Sequence, residues 1–361
     1  MHPNSIPATP VMSIAVGLSL IFLAVLILPF KVRKVEENLE AFFLVMGVIA
    51  VTISGMWSRE IILDAIKDPV SIGGTPVGIF QVVLVAGILI YKYNRQIYSA
   101  IIGLMKKVGI RAFVFGMILI LSLVSSIISV IVAAVILSEV VAAMPIEWER
   151  KVKVTVITCF AVGLGAALTP VGEPLATIAV SKLKGAPYHA DFFFLFRLLA
   201  DLIIPGIVAM SFLGAYYAGK MEGEPEIPEY TETLRTVIVR AVKVYMFVAA
   251  LVLLGHGLTP LVVWYFTKIP PAVLFWVNMI SAILDNATLT AAEIAPELSL
   301  LQIKSALIGL LVSGGMLIPG NIPNIVSAGR LRIKSGEWAR IGVPLGLIMM
   351  LVYFVVLNVF Y

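Results

Sequence analysis

Apolar residues in this chain run in long blocks parted by short clusters of charge, and the hydrocarbon core of a bilayer takes roughly 20 apolar residues per helix. Blocks of that kind occupy 11–30, 39–57, 74–93, 192–219, 235–257 and 338–360. Each predicts a membrane-crossing helix, since a segment without water must satisfy its own backbone groups. Other regions are irregular: 111–144, 152–184, and the pair 271–296 and 301–329. The stretch 111–144 is too long for one span and short for two with a loop, and Ser125, Ser126 and Ser129 lie at its middle. Arg111 precedes it, and Arg150, Lys151 and Lys153 follow it. Basic residues at both ends predict a re-entrant hairpin that enters and leaves on one side. The alternative is one long tilted helix with a loop.

Two motifs recur in the same order. Gly165-Ala-Ala-Leu-Thr-Pro170-Val-Gly-Glu-Pro174 and Gly314-Gly-Met-Leu-Ile-Pro319-Gly-Asn-Ile-Pro323 both read G-x4-P-x3-P, 149 residues apart. Upstream, Ser125-Ser-Ile-Ile-Ser129 matches Ser281-Ala-Ile-Leu-Asp285 at an offset of 156. Each upstream copy is followed by an apolar leg that ends at a proline, Pro145 or Pro296. Proline removes a backbone donor and clashes with the preceding turn. Paired prolines with Gly172 or Gly320 between them therefore predict two discontinuous helices, 152–184 and 301–329, restarting at Pro174 and Pro323. A plain proline kink is the simpler alternative at each. The expected division is 1–73 as N-terminal scaffold helices, 74–219 as repeat 1 and 220–361 as repeat 2. Repeat 1 holds hairpin 111–144 and repeat 2 holds hairpin 271–296. Each unit contains an odd number of full spans, so the second is inverted relative to the first. The fold expected is thus an all-α polytopic membrane protein with inverted repeats, whose site lies at the repeat interface.

Composition excludes most other classes. The chain has 361 residues, 60% hydrophobic and 13% charged, whereas soluble domains have roughly 45–50% apolar and about 25% charged residues. The net charge of +5 sits in short loops, so it reads as membrane topology and not as a nucleic-acid surface. The single cysteine, Cys159, allows no intrachain disulfide, and three scattered histidines give no zinc spacing. No Gly-rich phosphate loop follows a strand pattern, and nothing points to a cofactor or a soluble enzyme. No Lys or Arg precedes Lys31, so the first block reads as a retained helix and not a signal peptide.

With the two hairpins excluded, eight full spans remain. They place nineteen of the 26 Lys and Arg residues on one side and six on the other, with Arg197 inside a span. The positive-inside rule makes the first side cytoplasmic. The expectation is a multi-pass protein of the cell membrane with both termini outside.

Ionisable groups within spans are costly and are functional candidates by default. Here they are Glu139, Glu173, Arg197, Asp201, Asp285 and Glu293. Glu173 sits in the first helix break and Asp285 at the tip of the second hairpin, elements that meet near the midplane of an inverted-repeat fold. Thr169, Asn286, Thr288, Asn321 and Asn324 add side-chain oxygens, the donor set that a hard cation such as sodium prefers. Capping is the competing reading: Asp285 and Asn286 suit the start of the hairpin's second leg, and Glu173 complements a helix dipole. Arg197 and Asp201, four apart, are expected to pair on one helix face. Glu139 is a proton-relay candidate alongside Glu173 and Asp285. Glu293 is placed near a membrane mouth, and His256, between Gly255 and Gly257, at an interface.

These residues resemble the ion-transporter superfamily, which includes NhaD-type sodium/proton antiporters, arsenite transporters and dicarboxylate transporters. Ser281-Ala-Ile-Leu-Asp285-Asn286-Ala-Thr288 looks like its hairpin-tip motif, S-x-x-x-[SD]-N-x-T. Leu168-Thr-Pro-Val-Gly-Glu-Pro174 and Ile318-Pro-Gly-Asn-Ile-Pro-Asn324 look like its two helix-break loops. The likeness covers roughly 95–360 and is nearest to a compact prokaryotic group of cation transporters of unknown function. It implies a scaffold plus a transport domain that moves like an elevator, often in a homodimer. The first tip departs from the pattern, with Ser129-Val130-Ile131 in place of [SD]-N-x, leaving half of the expected site apolar. Two carboxylates among amides and hydroxyls favour a cation/proton antiporter, with sodium the leading cation. A sodium-coupled symporter of a small organic anion or oxoanion is the first rival and a passive ion channel the second.

Overall fold

A computed structural model describes residues 6–360 apart from 8, 37, 72–78, 129, 223–232, 267–269, 285, 295 and 297. Among these the chain is helical throughout, without a strand. Helix α1 is Met12–Lys31, α2 Arg33–Glu36, α3 Leu39–Ser54, α4 Arg59–Lys67 and α5 Ile79–Val108. Then follow α6 Ile110–Ile128, α7 Val130–Ala143, α8 Trp148–Ala166, α9 Pro174–Lys182 and α10 Phe194–Ala218. The last are α11 Leu234–Leu261, α12 Pro271–Val277, α13 Asn286–Glu293, α14 Leu300–Gly314, α15 Ile322–Leu331 and α16 Ser335–Phe360.

Among the described residues, five stretches are long and apolar enough to cross a membrane: Met12–Pro29, Ile110–Ile127, Phe194–Ala218, Leu234–Tyr265 and Ser335–Phe360. With helices of this length and the composition above, the chain is a helical membrane protein. Helix α5 carries the third apolar block from Ile79 onward and continues to Val108 as one element, bent at Tyr93 (φ −117°, ψ 19°). The chain is interrupted where the prolines predict. Helix α8 ends at Ala166 and α9 restarts at Pro174; α14 ends at Gly314 and α15 restarts at Ile322 with Pro323 in its first turn. In the region 111–144 the helices Ile110–Ile128 and Val130–Ala143 lie on either side of residue 129, which is outside the described residues.

Packing divides the helices into two sets. α11 lies along α3 and contacts α1, α4 and α5, with Phe43 and Phe247 in ring contact (centroids 5.2 Å apart). α6, α8 and α10 pack mutually. Between the sets, α7 packs on α15 and α9 packs on α13, so each of these two helices meets one from the second half of the chain. Where α7 and α15 pack, Ser138 meets Ser327 and Glu139 meets Arg330. One apolar core joins elements from α1 to α16.

Candidate functional site

The first interruption is fastened to the division between α6 and α7. Ser125 Oγ donates to the Val162 carbonyl (3.1 Å) and Thr169 Oγ1 to the Ser126 carbonyl (2.5 Å). The Val130 amide, first in α7, donates to the Gly172 carbonyl (2.9 Å). Only glycine fits at two positions here. A Cβ on Gly165 would strike the Ser122 carbonyl, and one on Gly172 the Ala166 carbonyl. Glu173, immediately before Pro174, is 3% exposed. It therefore occupies the start of α9 as a buried acid, the position that the dipole favours for negative charge.

The second interruption is built alike with different residues. Ser313 Oγ donates to the Asn278 carbonyl (2.6 Å), fixing α14 on the short 3-10 turn Asn278–Ala282. Gly320 lies so close to that turn that a Cβ on it would be 2.7 Å from the Ser281 carbonyl oxygen. Asn321 Oδ1 accepts from the Ile322 amide (2.8 Å), an N-cap for α15. Asn324 Nδ2 donates to the Gly314 and Leu317 carbonyls (2.8 Å each), stitching the interruption together. Its Oδ1 is buried and accepts nothing among the described residues. Helix α8 flanks this loop: Cys159 Sγ lies 3.6 Å from the Pro323 carbonyl oxygen.

Asn286 opens α13 and is 4% exposed, and its Nδ2 has no partner among the described residues. Thr288 belongs to α13. Asp285 and Ser129 lie outside the described residues. The structure thus buries Thr169, Glu173, Asn286, Asn321 and Asn324 at two interruptions and one helix start. Among the described residues no three of His, Cys, Asp and Glu gather as a metal site. A hard cation here would therefore rest on amide, hydroxyl and backbone oxygens with one or two carboxylates, and the open Asn324 Oδ1 suits that role.

The chain belongs to the DUF1646 family. The family, described as a protein of unknown function, matches residues 15–360. A search of curated proteins finds no match. Membership in DUF1646 therefore assigns no activity, and the buried groups must be read on their own.

One expectation for this DUF1646 chain is corrected. Arg197 and Asp201 do not pair. Arg197 Nη2 donates to Asp191 Oδ1 (2.6 Å), and that hydrogen bond holds the exposed Asp191 carboxyl below its ordinary range. Asp201 instead reaches Lys304 Nζ (3.1 Å) on α14, and Lys304 is buried in the protein although its sequence position reads as a loop cation. Glu293, expected near a membrane mouth, is buried. It is 7% exposed, and the fully buried Asn278 donates from Nδ2 to its Oε2 (3.0 Å) and to the Ala306 carbonyl (3.3 Å). Glu139 is gripped by Arg330: Nε donates to Oε1 and Nη2 to Oε2 (2.9 Å). His256 Nε2 lies 4.0 Å from Asp64 Oδ2. Asn278 and Ser313 were missed in the sequence. Asn278 stands three residues before Ser281, one turn along the same motif, and that spacing is the signal that could have found it.

Proposed function

We propose that the protein is a secondary active transporter that exchanges sodium or a related small cation for protons. In this reading the chain is an inverted repeat in the cell membrane, with both termini outside, re-entrant hairpins at 111–144 and 271–296, and the two interrupted helices facing each other. Support for the repeat comes from packing: α7 meets α15, and α9 meets α13. Such an exchange of second legs is what a two-fold relation between 74–219 and 220–361 produces. Helix α6 is itself of span length, so the hairpin reading requires it to stop at depth, where the Val130 amide meets the Gly172 carbonyl.

The observation that carries the cation reading is a buried acid, Glu173, at a helix interruption. The buried Lys304 and the half-buried Arg330 each lie against an acid, Asp201 and Glu139. Asp285 follows the turn that Gly320 touches. A small cation offsets such carboxylates, and a proton competes with it for the same oxygens. An anionic substrate would add to the negative charge. Sodium-coupled symport of a small organic anion or oxoanion is the rival, with helix starts holding the anion.

Flux into proteoliposomes under sodium and pH gradients tests the proposal. Asp285→Asn and Glu173→Gln are each expected to abolish exchange while expression and melting temperature stay near wild type. An amide keeps the shape and an accepting oxygen, so a residue that only caps a helix loses roughly 1 kcal/mol or less and still transports. In wild type, raising sodium is expected to move the apparent pH midpoint downward, because a bound cation opposes protonation by linkage. Robust, pH-independent transport by both amide variants would remove these carboxylates from the coupling site and favour the anion symporter.

A further inference from the structure

A cavity of about 1120 Å³ opens between α11 and the junction of α15 with α16. Its rim carries Arg235, Lys243, Arg332 and Lys334, and a single acid, Glu40. Glu40 is taken by Lys243 at 2.6 Å. Arg235, Arg332 and Lys334 form no side-chain ion pair among the described residues, although Glu337 Oε2 accepts from the Lys334 backbone amide (2.9 Å), so three positive side chains line one space. Arg332 ends α15 in a left-handed backbone conformation (φ 58°, ψ 38°), which L-residues adopt at a cost and which recurs at binding sites. That turn brings Arg332 and Lys334 to the same cavity.

The wall beneath the charges is apolar. Val239, Val244, Phe247 and Ile325 line it. Val239 is 46% exposed and shares α11 with exposed Leu234, Ile238 and Val242. Apolar side chains exposed along a helix of span length face lipid, so the cavity opens beside acyl chains. A soluble anion would use the cations and leave this wall idle. Basic pockets between membrane helices are places where anionic lipid headgroups settle. The space also exceeds the roughly 300–1,000 Å³ that small-molecule pockets occupy.

We propose that this cavity binds the phosphate headgroup of an anionic phospholipid, with Arg235, Arg332 and Lys334 on the phosphate and the α11 wall against the upper acyl chains. The three cations lie on α11 and just past the end of α15, while the same cavity also reaches Ile318 of the second interruption; the lipid is proposed as a resident and not as the transported species.

Native mass spectrometry of the purified full-length protein, titrated with phosphatidylglycerol, phosphatidylcholine and inorganic phosphate, tests this. Saturable binding of one phosphatidylglycerol, with a rise in melting temperature, is expected, and neither from phosphatidylcholine. Each cation is worth about fivefold in lipid affinity, so R235Q/R332Q/K334Q should lose on the order of a hundredfold. K106Q/K107Q, which removes two cations outside the cavity, should shift affinity less than about twofold, since Debye screening removes distant charges. If the triple variant fails to fold, K334Q alone should still lose about fivefold. Equal affinity of variant and wild type would overturn the site. So would equal binding of the two lipids. Competition by inorganic phosphate as strong as phosphatidylglycerol would assign the cations to a soluble anion and end the lipid proposal. Lipid binding is read without transport, so neither outcome depends on the exchange reaction.

Discussion

At the scale of single residues, the buried charges are held by partners distant in sequence. Arg330 and Glu139 are 191 positions apart and join α15 to α7 through two hydrogen bonds, with side chains 14% and 7% exposed. Breaking a buried pair by removing one partner costs roughly 3–5 kcal/mol, whereas replacing both with apolar groups is often close to neutral. R330Q is therefore expected to lower the melting temperature sharply, and E139L/R330M to recover most of that loss. Thermal unfolding in detergent measures both. A single variant within about 0.5 kcal/mol of wild type would show that the pair contributes no more than a surface contact. The Arg197–Asp191 pair is the contrasting case, because both side chains are 58% exposed and solvent screens them.

At the scale of elements, the two interruptions depend on backbone meeting backbone. In the first, the Ser122 and Ala166 carbonyls occupy the places where side chains of residues 165 and 172 would go. Carbonyls within packed helices cannot swing aside as a flexible side chain can. G165A is expected to destabilise by at least the roughly 1–3 kcal/mol of an overpacked core. Gly116, on α6, has nothing within 4 Å of its would-be Cβ. G116A should be neutral, or stabilising by up to about 1 kcal/mol through helix propensity. Comparable melting shifts for the two variants would contradict the tight approach of α6 to the α8–α9 interruption. The second interruption uses Asn324 in place of such crowding, its amide spanning the Gly314 and Leu317 carbonyls.

At the scale of the molecule, the distribution of Lys and Arg sets the orientation to be tested. Cys159 is buried and is the chain's one cysteine, so thiol labelling reports introduced cysteines against a low background. Cysteines replacing Lys106 and Arg332 should label from the cytoplasmic face, and those replacing Lys67 and Lys182 from the other. Labelling of positions 67 and 332 from one face would end the eight-span arrangement.

The apolar blocks and the paired prolines determined the helices. Blocks at 192–219 and 338–360 became Phe194–Ala218 and Ser335–Phe360, because a bilayer acts on composition alone. The restarts at Pro174 and at Ile322–Pro323 were legible because proline breaks a helix by its own covalent geometry, whatever lies nearby. The side-chain oxygens at those breaks were legible for the same local reason. What the spacing could not supply was the group opposite each charge. Arg197 and Asp201 share a helical face by number. Yet Asp191 folds back from the preceding loop onto Arg197, and Asp201 looks across to Lys304 on α14. Glu293 read as peripheral because its place near a block's end says nothing of Asn278, which covers it from the other side of the turn. The basic cavity likewise gathers residues 40, 235, 243, 332 and 334. Local chemistry fixes where a helix starts and stops, but a buried charge finds its partner through space, and only the packing of the helices decides what that space contains.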